Sequence, residues 1–112
     1  QFVGGEKAMF YSITTNLVYP TEAIEKGIQG RVIVRFVIDK AGKVVDAEVI
    51  RGLDPSCDKE ALRVVRMFPD WIPGKQNGQN VAVYYTIPIV FRLKSVPEPK
   101  MTNSKSKREE KN

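Results

Sequence analysis

The sequence predicts an α+β fold, a two-layer domain in which a small three-stranded antiparallel sheet has helices packed on one face. Three segments alternate apolar and polar residues with a period of two, which is typical of half-buried strands. The other apolar segments have helical spacing, and a tight-turn motif joins the first two strands. The chain has 112 residues, 42% of them hydrophobic and 28% charged, which suffices for one domain with a modest core.

The N-terminal part predicts two helices. The first is amphipathic and runs from Glu6 to about Asn16. Pro20 then requires an extended link, because the residue before a proline is disfavoured in the α region. The second helix is very short, with Thr21 as the expected N-cap and Gly27 as the residue that stops it.

A β-hairpin is predicted next. Residues 31–38 alternate as a strand, and Asp39 to Gly42 follow as a tight turn, with Asp at its first position and Gly where a positive φ is needed. The return strand covers residues 43–51. Its apolar residues do not keep a single phase, so we expect a bulge or burial on both faces.

The clearest helix begins at Asp54-Pro55, where Asp54 supplies an N-cap oxygen and Pro55 suits the first helical position. Pro69 ends it, Trp71 is expected in the core, and residues 75–80 are expected to form a polar loop. The apolar residues recur at helical spacing: Cys57, Ala61, Val64, Val65 and Phe68.

The last predicted strand runs from Val81 to Leu93. Pro88 removes a ladder donor, which favours a sheet edge where another chain can add a strand. The alternation defines one core face and one opposite face. The core face has Val81, Val83, Tyr85, Ile87, Ile89, Phe91 and Leu93, and the opposite face has Ala82, Tyr84, Thr86, Pro88, Val90, Arg92 and Lys94.

The residue inventory argues against an enzyme. The chain has no histidine and one cysteine, so His-based triads and the common zinc sites are absent from it. No carboxylate pair is placed together by spacing, and no glycines have phosphate-loop spacing, so we expect neither a metal nor a cofactor. The sequence has no membrane-spanning run. It begins with Gln1, and we expect it to be part of a longer protein whose membrane anchor lies outside it.

The net charge of +5 is interpreted as a solvated surface that maintains solubility. The composition divides the chain into a folded domain, residues 1–94, and a charged tail, residues 95–112. The tail has almost nothing to bury, so disorder is expected there.

Several motifs, taken together in their order and spacing, resemble the TonB C-terminal domain family. They cover residues 2–94, and the opening Phe2-x-Gly4-Gly5-Glu6 is similar to versions from the Bacteroidota. The motifs are Tyr19-Pro20, Ala23, Gly27, Gly30, Val32-x-Val34-x-Phe36, Asp39-x-x-Gly42-x-Val44, Val49, Asp58-x-x-Ala61, Trp71-x-Pro73-Gly74 and Pro88-Ile89-x-Phe91-x-Leu93.

The resemblance implies a periplasmic domain at the end of an inner-membrane-anchored energy transducer in a Gram-negative bacterium. Such transducers are driven by ExbB and ExbD, which use the proton gradient. The domain then grips the TonB box peptide of an outer-membrane transporter by strand addition to its last strand. The implied peptide-binding residues are Val83, Tyr84, Tyr85, Thr86, Ile87, Pro88, Ile89, Val90, Phe91 and Arg92, with Tyr19 and Pro20. For Tyr19 and Pro20, a purely structural turn is an equally good interpretation of the sequence.

Two other interpretations remain at this point. The same fold can serve as a periplasmic interaction module at the end of a different membrane-anchored signalling or peptidase-like protein. A small nucleic-acid-binding domain is less favoured, because its stacking platform needs exposed aromatics among clustered cations, and here the aromatics mostly occupy the apolar face. We therefore expect no nucleic-acid partner. A homodimer through the strand edge is a further possibility.

Overall fold

The structure is a computed structural model that describes residues 1–93. It confirms the α+β class, with a three-stranded antiparallel sheet and helices packed against it. The predicted tail, residues 95–112, and the end of the predicted domain at Lys94 lie outside the described residues. The elements in order are α1 (Gly5–Asn16), α2 (Thr21–Glu25), β1 (Gly30–Ile38), β2 (Val44–Arg51), α3 (Pro55–Arg66), β3 (Gly74–Gln76), β4 (Gln79–Val81) and β5 (Val83–Phe91).

The main sheet has the strand order β2-β1-β5, so the last strand pairs with the first and lies at an edge. The β1–β5 register is continuous over nine pairs, from Gly30↔Phe91 to Ile38↔Val83. The β1–β2 hairpin has two register shifts, and Asp46 in β2 has a φ of 52°. The expected bulge in the return strand is therefore confirmed.

One layer of helices covers one face of the sheet. Apolar side chains of α1 and α3 meet the alternate residues of β1 and β5, and Trp71 packs beside them with only 5% of its surface exposed. The predicted core position of Trp71 is confirmed. The core residues that are fully buried include Val32, Val34, Phe36, Ile38, Cys57, Ala61, Val65 and Ile89.

The predicted turn and cap of the middle segment are also confirmed. The amide of Gly42 donates to the carbonyl of Asp39 at 2.9 Å, and Gly42 has a φ of 87°. The Asp54 carboxylate accepts from the Ser56 amide at 3.1 Å, and Pro55 is the first residue of α3. These local contacts fix the turn before β2 and the start of α3.

Three sequence-based expectations were wrong. Thr21 is the first residue of α2 instead of its N-cap, because the Pro20 carbonyl already accepts from the amides of Ala23 and Ile24. Residues 75–80 are not a plain loop, since β3 and β4 pair as a hairpin. Val81 belongs to this hairpin, so the last strand begins at Val83, and it ends at Phe91 instead of Leu93.

Candidate functional site: the free edge of β5

The outer edge of β5 is the candidate site. Among the described residues, β5 has a strand neighbour on one side only, and that neighbour is β1. Its nine residues are regular and carry no register shift. Such an edge presents a row of unpaired backbone groups that another strand can use.

The direction of the backbone groups follows from the β1–β2 turn. The amide of Asp39 donates to the carbonyl of Lys43 at 2.9 Å. At this odd-numbered position the backbone hydrogen-bonding groups therefore point toward β2. Backbone groups alternate in direction along a strand. The even-numbered residues of β1, such as Val32 and Val34, therefore direct their amides and carbonyls toward β5.

Because Val32 pairs with Ile89 and Val34 with Ile87, the odd-numbered residues of β5 form the hydrogen-bonded pairs with β1. The amide of Leu93, another odd position, points the same way and donates to the Gln29 side chain at 2.9 Å. Even-numbered residues of β5 thus direct their backbone groups outward. The outward amide donors are Tyr84, Thr86 and Val90, and the outward carbonyls are those of the same residues and Pro88.

Pro88 occupies a position where its missing amide does no harm to the sheet. It pairs with Ile33 at a site that the alternation assigns to the non-hydrogen-bonded type. The proline ring therefore interrupts only the outer row of donors. This agrees with the sequence-based placement of Pro88 at an edge.

The side chains of β5 divide as the alternation predicted. Ile87, Ile89 and Phe91 are buried and Tyr85 is half-buried, so the face of the strand that these residues share packs into the core. Tyr84 is 72% exposed, and the Arg35 guanidinium lies 5.9 Å from its ring centroid. The other side chains on this open face are also exposed: Thr86, Pro88, Val90 and Arg92.

Arg35 is tied to the opposite edge strand of the sheet. Its guanidinium forms an ion pair with Glu48 on β2, and this hydrogen bond raises the pKa of Arg35 above its ordinary value. The open face beside β5 therefore carries the Arg35–Glu48 ion pair next to an exposed aromatic ring. This arrangement suits polar and aromatic contacts with side chains of an added strand.

Tyr19 lies against the end of the candidate strand. Its ring packs edge-on to Phe91 with centroids 5.5 Å apart, and its hydroxyl donates to the carbonyl of Ile28. Burial raises the pKa of the Tyr19 phenol, with a further contribution from nearby Cys57, so the hydroxyl keeps its proton. In this position Tyr19 supports the strand through Phe91.

Pro20 lies beside α3. It lines a separate groove of about 600 Å³ on α3, together with Lys59, Arg63 and Met67, and no β5 residue lines that groove. The Tyr19-Pro20 pair is therefore split between two surfaces.

The sequence did not indicate which segments flank the β5 edge on the helical side. Phe2, Met9 and Trp71 come from three distant parts of the chain, and the structure places them beside Tyr85 and Ile87. The alternation of Tyr85 and Ile87 marks them as core-facing. It contains no signal for their neighbours, because those contacts depend on how the layers pack.

Among the helices of residues 1–93, none has the length and apolar composition of a membrane-spanning segment. The same part of the chain has no group of three or more His, Cys, Asp or Glu side chains arranged to hold a metal ion.

Comparison with known proteins places the fold. Residues 15–93 match the family model described as Gram-negative bacterial TonB protein C-terminal. Among curated proteins, no sequence matches the chain. The solution structure of the Helicobacter pylori TonB C-terminal domain is 27% identical, with a TM-score of 0.60 and 79% of each chain covered. A shorter form of that domain, also 27% identical, has a TM-score of 0.57 over 80% of this chain and 94% of its own.

The Pseudomonas aeruginosa TonB C-terminal domain is similar as well. It is 28% identical, with a TM-score of 0.56 over 70% of this chain and 80% of its own. The family match covers most of the residues that the structure describes, including all of β1, β2, α3 and β5. The chain therefore belongs to the family of Gram-negative bacterial TonB protein C-terminal domains.

Proposed function

We propose that this is the periplasmic C-terminal domain of a TonB-type energy transducer, and that it binds the TonB box peptide of an outer-membrane transporter. The peptide adds to the outer edge of β5 as a further strand. Membership of the TonB C-terminal family supports this role. The observation that carries it is the regular edge of β5, whose outward amides and carbonyls have no strand neighbour among residues 1–93.

The affinity in this proposal comes mainly from backbone hydrogen bonds. Tyr84, Thr86 and Val90 each offer an outward donor and acceptor, and each bond contributes about 0.5–1.5 kcal/mol net. A backbone ladder tolerates different peptide sequences, because main-chain hydrogen bonds do not depend on side chains. Pulling along the strand loads these bonds in parallel, so the complex resists force better than single bonds in series.

Energy reaches the domain from outside the described residues. In the proposed arrangement, an inner-membrane anchor in another part of the protein contacts ExbB and ExbD, which use the proton gradient. The domain transmits the resulting force to the transporter through the bound peptide. No catalytic residue is proposed.

The test is a titration of the domain with N-terminal peptides of candidate transporters, followed by backbone amide NMR shifts. The largest changes are expected at Tyr84, Thr86 and Val90. Thr86→Pro removes one outward donor and places a ring in the path of the added strand, so peptide affinity should fall by about 10-fold or more. Thr86→Ala keeps the amide and is the matched control.

Both variants should fold, because Thr86 is exposed and its amide is not used by β1. Circular dichroism and the shifts of the β1 amides check this. Saturable binding that leaves the β5 amides unchanged, or equal affinity for the two variants, would contradict the proposed site.

A further inference from the structure

A cavity of about 330 Å³ lies between the start of α1 and β5. This is the lower end of the size range of small-ligand pockets, roughly 300–1,000 Å³. Most of its lining is apolar or aromatic, and the polar residues Gln1 and Glu6 lie at the rim. The lining residues used below are Phe2, Glu6, Met9, Trp71, Tyr85 and Ile87.

The cavity is continuous with the free edge of β5. Tyr85 and Ile87 belong to the helix-facing side of that strand, and Met9 reaches the cavity from α1. A strand added to β5 lies about 4.8 Å farther out and alternates its side chains in the same way. Every second side chain of the added strand therefore points to the helical side, beside Tyr85 and Ile87.

Trp71 forms part of the cavity wall. Its side chain is 5% exposed, and its Nε1 is buried with no hydrogen-bond partner among the described residues. Buried tryptophan N–H groups usually have a partner. The indole is held in place by the rings of Phe2 and Tyr85, whose centroids lie 5.2 and 4.6 Å from it.

We propose that this cavity is a specificity pocket for one large apolar side chain of the peptide that adds to β5. The inference rests on the proposed function. A side chain such as Leu, Ile, Met or Phe enters between Met9 and Ile87 and packs beside the Trp71 ring. The Glu6 carboxylate at the rim opposes an acidic residue at this peptide position.

The backbone ladder and the pocket have different consequences for selectivity. The backbone ladder binds any extended sequence, whereas the pocket raises the affinity only for a peptide with a suitable side chain in the correct register. A domain with both features binds many peptides weakly and those with the correct anchor more tightly. The anchor also fixes the register, because a shift by one residue turns it to the open face.

The first experiment is an alanine scan of a peptide that binds the domain. One helix-facing position should stand out, with affinity reduced by about 10-fold or more, as expected from loss of a fully buried apolar side chain. Positions that face the open side should change affinity only slightly. The chain has one tryptophan, so a single indole N–H resonance reports on Trp71. That resonance should shift with the parent peptide and much less with the anchor-to-alanine peptide.

A variant of the domain tests the pocket from the other side. Glu6→Phe places an aromatic ring at the rim and should weaken binding of the parent peptide several-fold, but leave the anchor-to-alanine peptide unaffected. Lys7→Phe, at an exposed neighbouring position of α1 that does not line the cavity, is the matched control and should bind both peptides as the unmodified domain does.

The outcomes separate this inference from the function on which it rests. If peptides shift the outward β5 amides while the indole resonance stays fixed and the alanine scan is flat, the pocket is overturned and strand addition stands. If peptides bind without shifting the β5 amides, both are overturned.

Discussion

Glu60 joins the end of α1 to α3. Its carboxylate accepts from the Val18 amide and from two nitrogens of Arg63, each at 2.7 Å, and its side chain is only 11% exposed. Arg63 in turn donates to the Asn16 carbonyl at 2.7 Å, at the last residue of α1. The hydrogen bond from Arg63, then that from Val18, lowers the pKa of Glu60, while burial opposes the shift. Glu60 and Arg63 therefore link the C-terminal end of α1 to α3.

Glu60→Gln should destabilise the domain by about 1–2 kcal/mol at neutral pH, because charged hydrogen bonds are stronger than neutral ones. Arg63 is half-exposed, so solvent screens its interaction with Glu60 and limits the expected loss of stability. Since the folded-state pKa lies below the ordinary glutamate pKa, the stabilisation is complete above that ordinary value. It is lost as pH falls through the lowered pKa. Denaturant unfolding at pH 7 and at pH 3 measures both effects.

Glu48→Gln is the matched control. Glu48 also pairs with an arginine, but the side chains of Glu48 and Arg35 are 54% and 45% exposed, so removal of this charge should change stability by less than about 0.5 kcal/mol. Near pH 3 the difference in the free energy of unfolding between the two variants should become smaller. Equal losses of stability for both variants at pH 7 would show that the partly buried Glu60 carboxylate has no special role.

The turn between β1 and β2 is bound to the segment that carries Trp71. The Trp71 amide donates to the Gly42 carbonyl at 2.7 Å, and a Cβ on Gly42 would overlap the Trp71 carbonyl oxygen. Gly42 is also buried, with a φ of 87°. This position therefore excludes a side chain for both conformational and steric reasons.

Gly42→Ala should lower the free energy of unfolding by at least about 2 kcal/mol more than Gly78→Ala. Gly78 has a similar φ of 77° in the β3–β4 turn, but a Cβ there has nothing within 4 Å. The control thus isolates the steric part of the effect from the conformational part, which is about 1 kcal/mol. Thermal and denaturant unfolding measure the difference, and similar losses would contradict the close contact with Trp71.

Pro88 limits the outer edge of β5, so its replacement should strengthen that edge. Pro88→Ala adds an outward amide between those of Thr86 and Val90, and one further backbone bond should tighten peptide binding by roughly 2- to 10-fold. The same change should promote self-association, because it completes an edge that the proline interrupts. Calorimetry and sedimentation measure the two effects, and unchanged affinity would place the peptide elsewhere.

Local patterns predicted the elements better than their contacts. The alternation of β5 and the Asp39–Gly42 turn depend on neighbouring residues, and both could be predicted from the sequence. The β3–β4 hairpin was missed although Asn77-Gly78, with φ values of 52° and 77°, is a common two-residue hairpin turn. The Phe2–Trp71–Tyr85 cluster could not be predicted, since it joins segments that meet only when the layers pack.

The two edges of the sheet are not equivalent. β2 has two register shifts, which twist and interrupt an edge and protect it from pairing. β5 has nine positions in regular register, and Pro88 is the one interruption of its outward amides. On the helical side, the cavity lies beside this strand. Within residues 1–93, the two edges of the main sheet therefore differ: β5 is regular and β2 is irregular.

Amide hydrogen exchange of the free domain should reveal this asymmetry. β1 is flanked on both sides, so the amides of all its interior residues should exchange slowly. In β5 protection should alternate: Ile87 and Ile89 exchange slowly with β1 as their partner, whereas Thr86 and Val90 exchange fast. Addition of a peptide that binds the edge should slow the second pair and leave the first unchanged. Slow exchange at every β5 amide in the free domain would mean that another segment or chain already pairs with the edge. If the exchange rates then depend on protein concentration, that partner is a second copy of the domain.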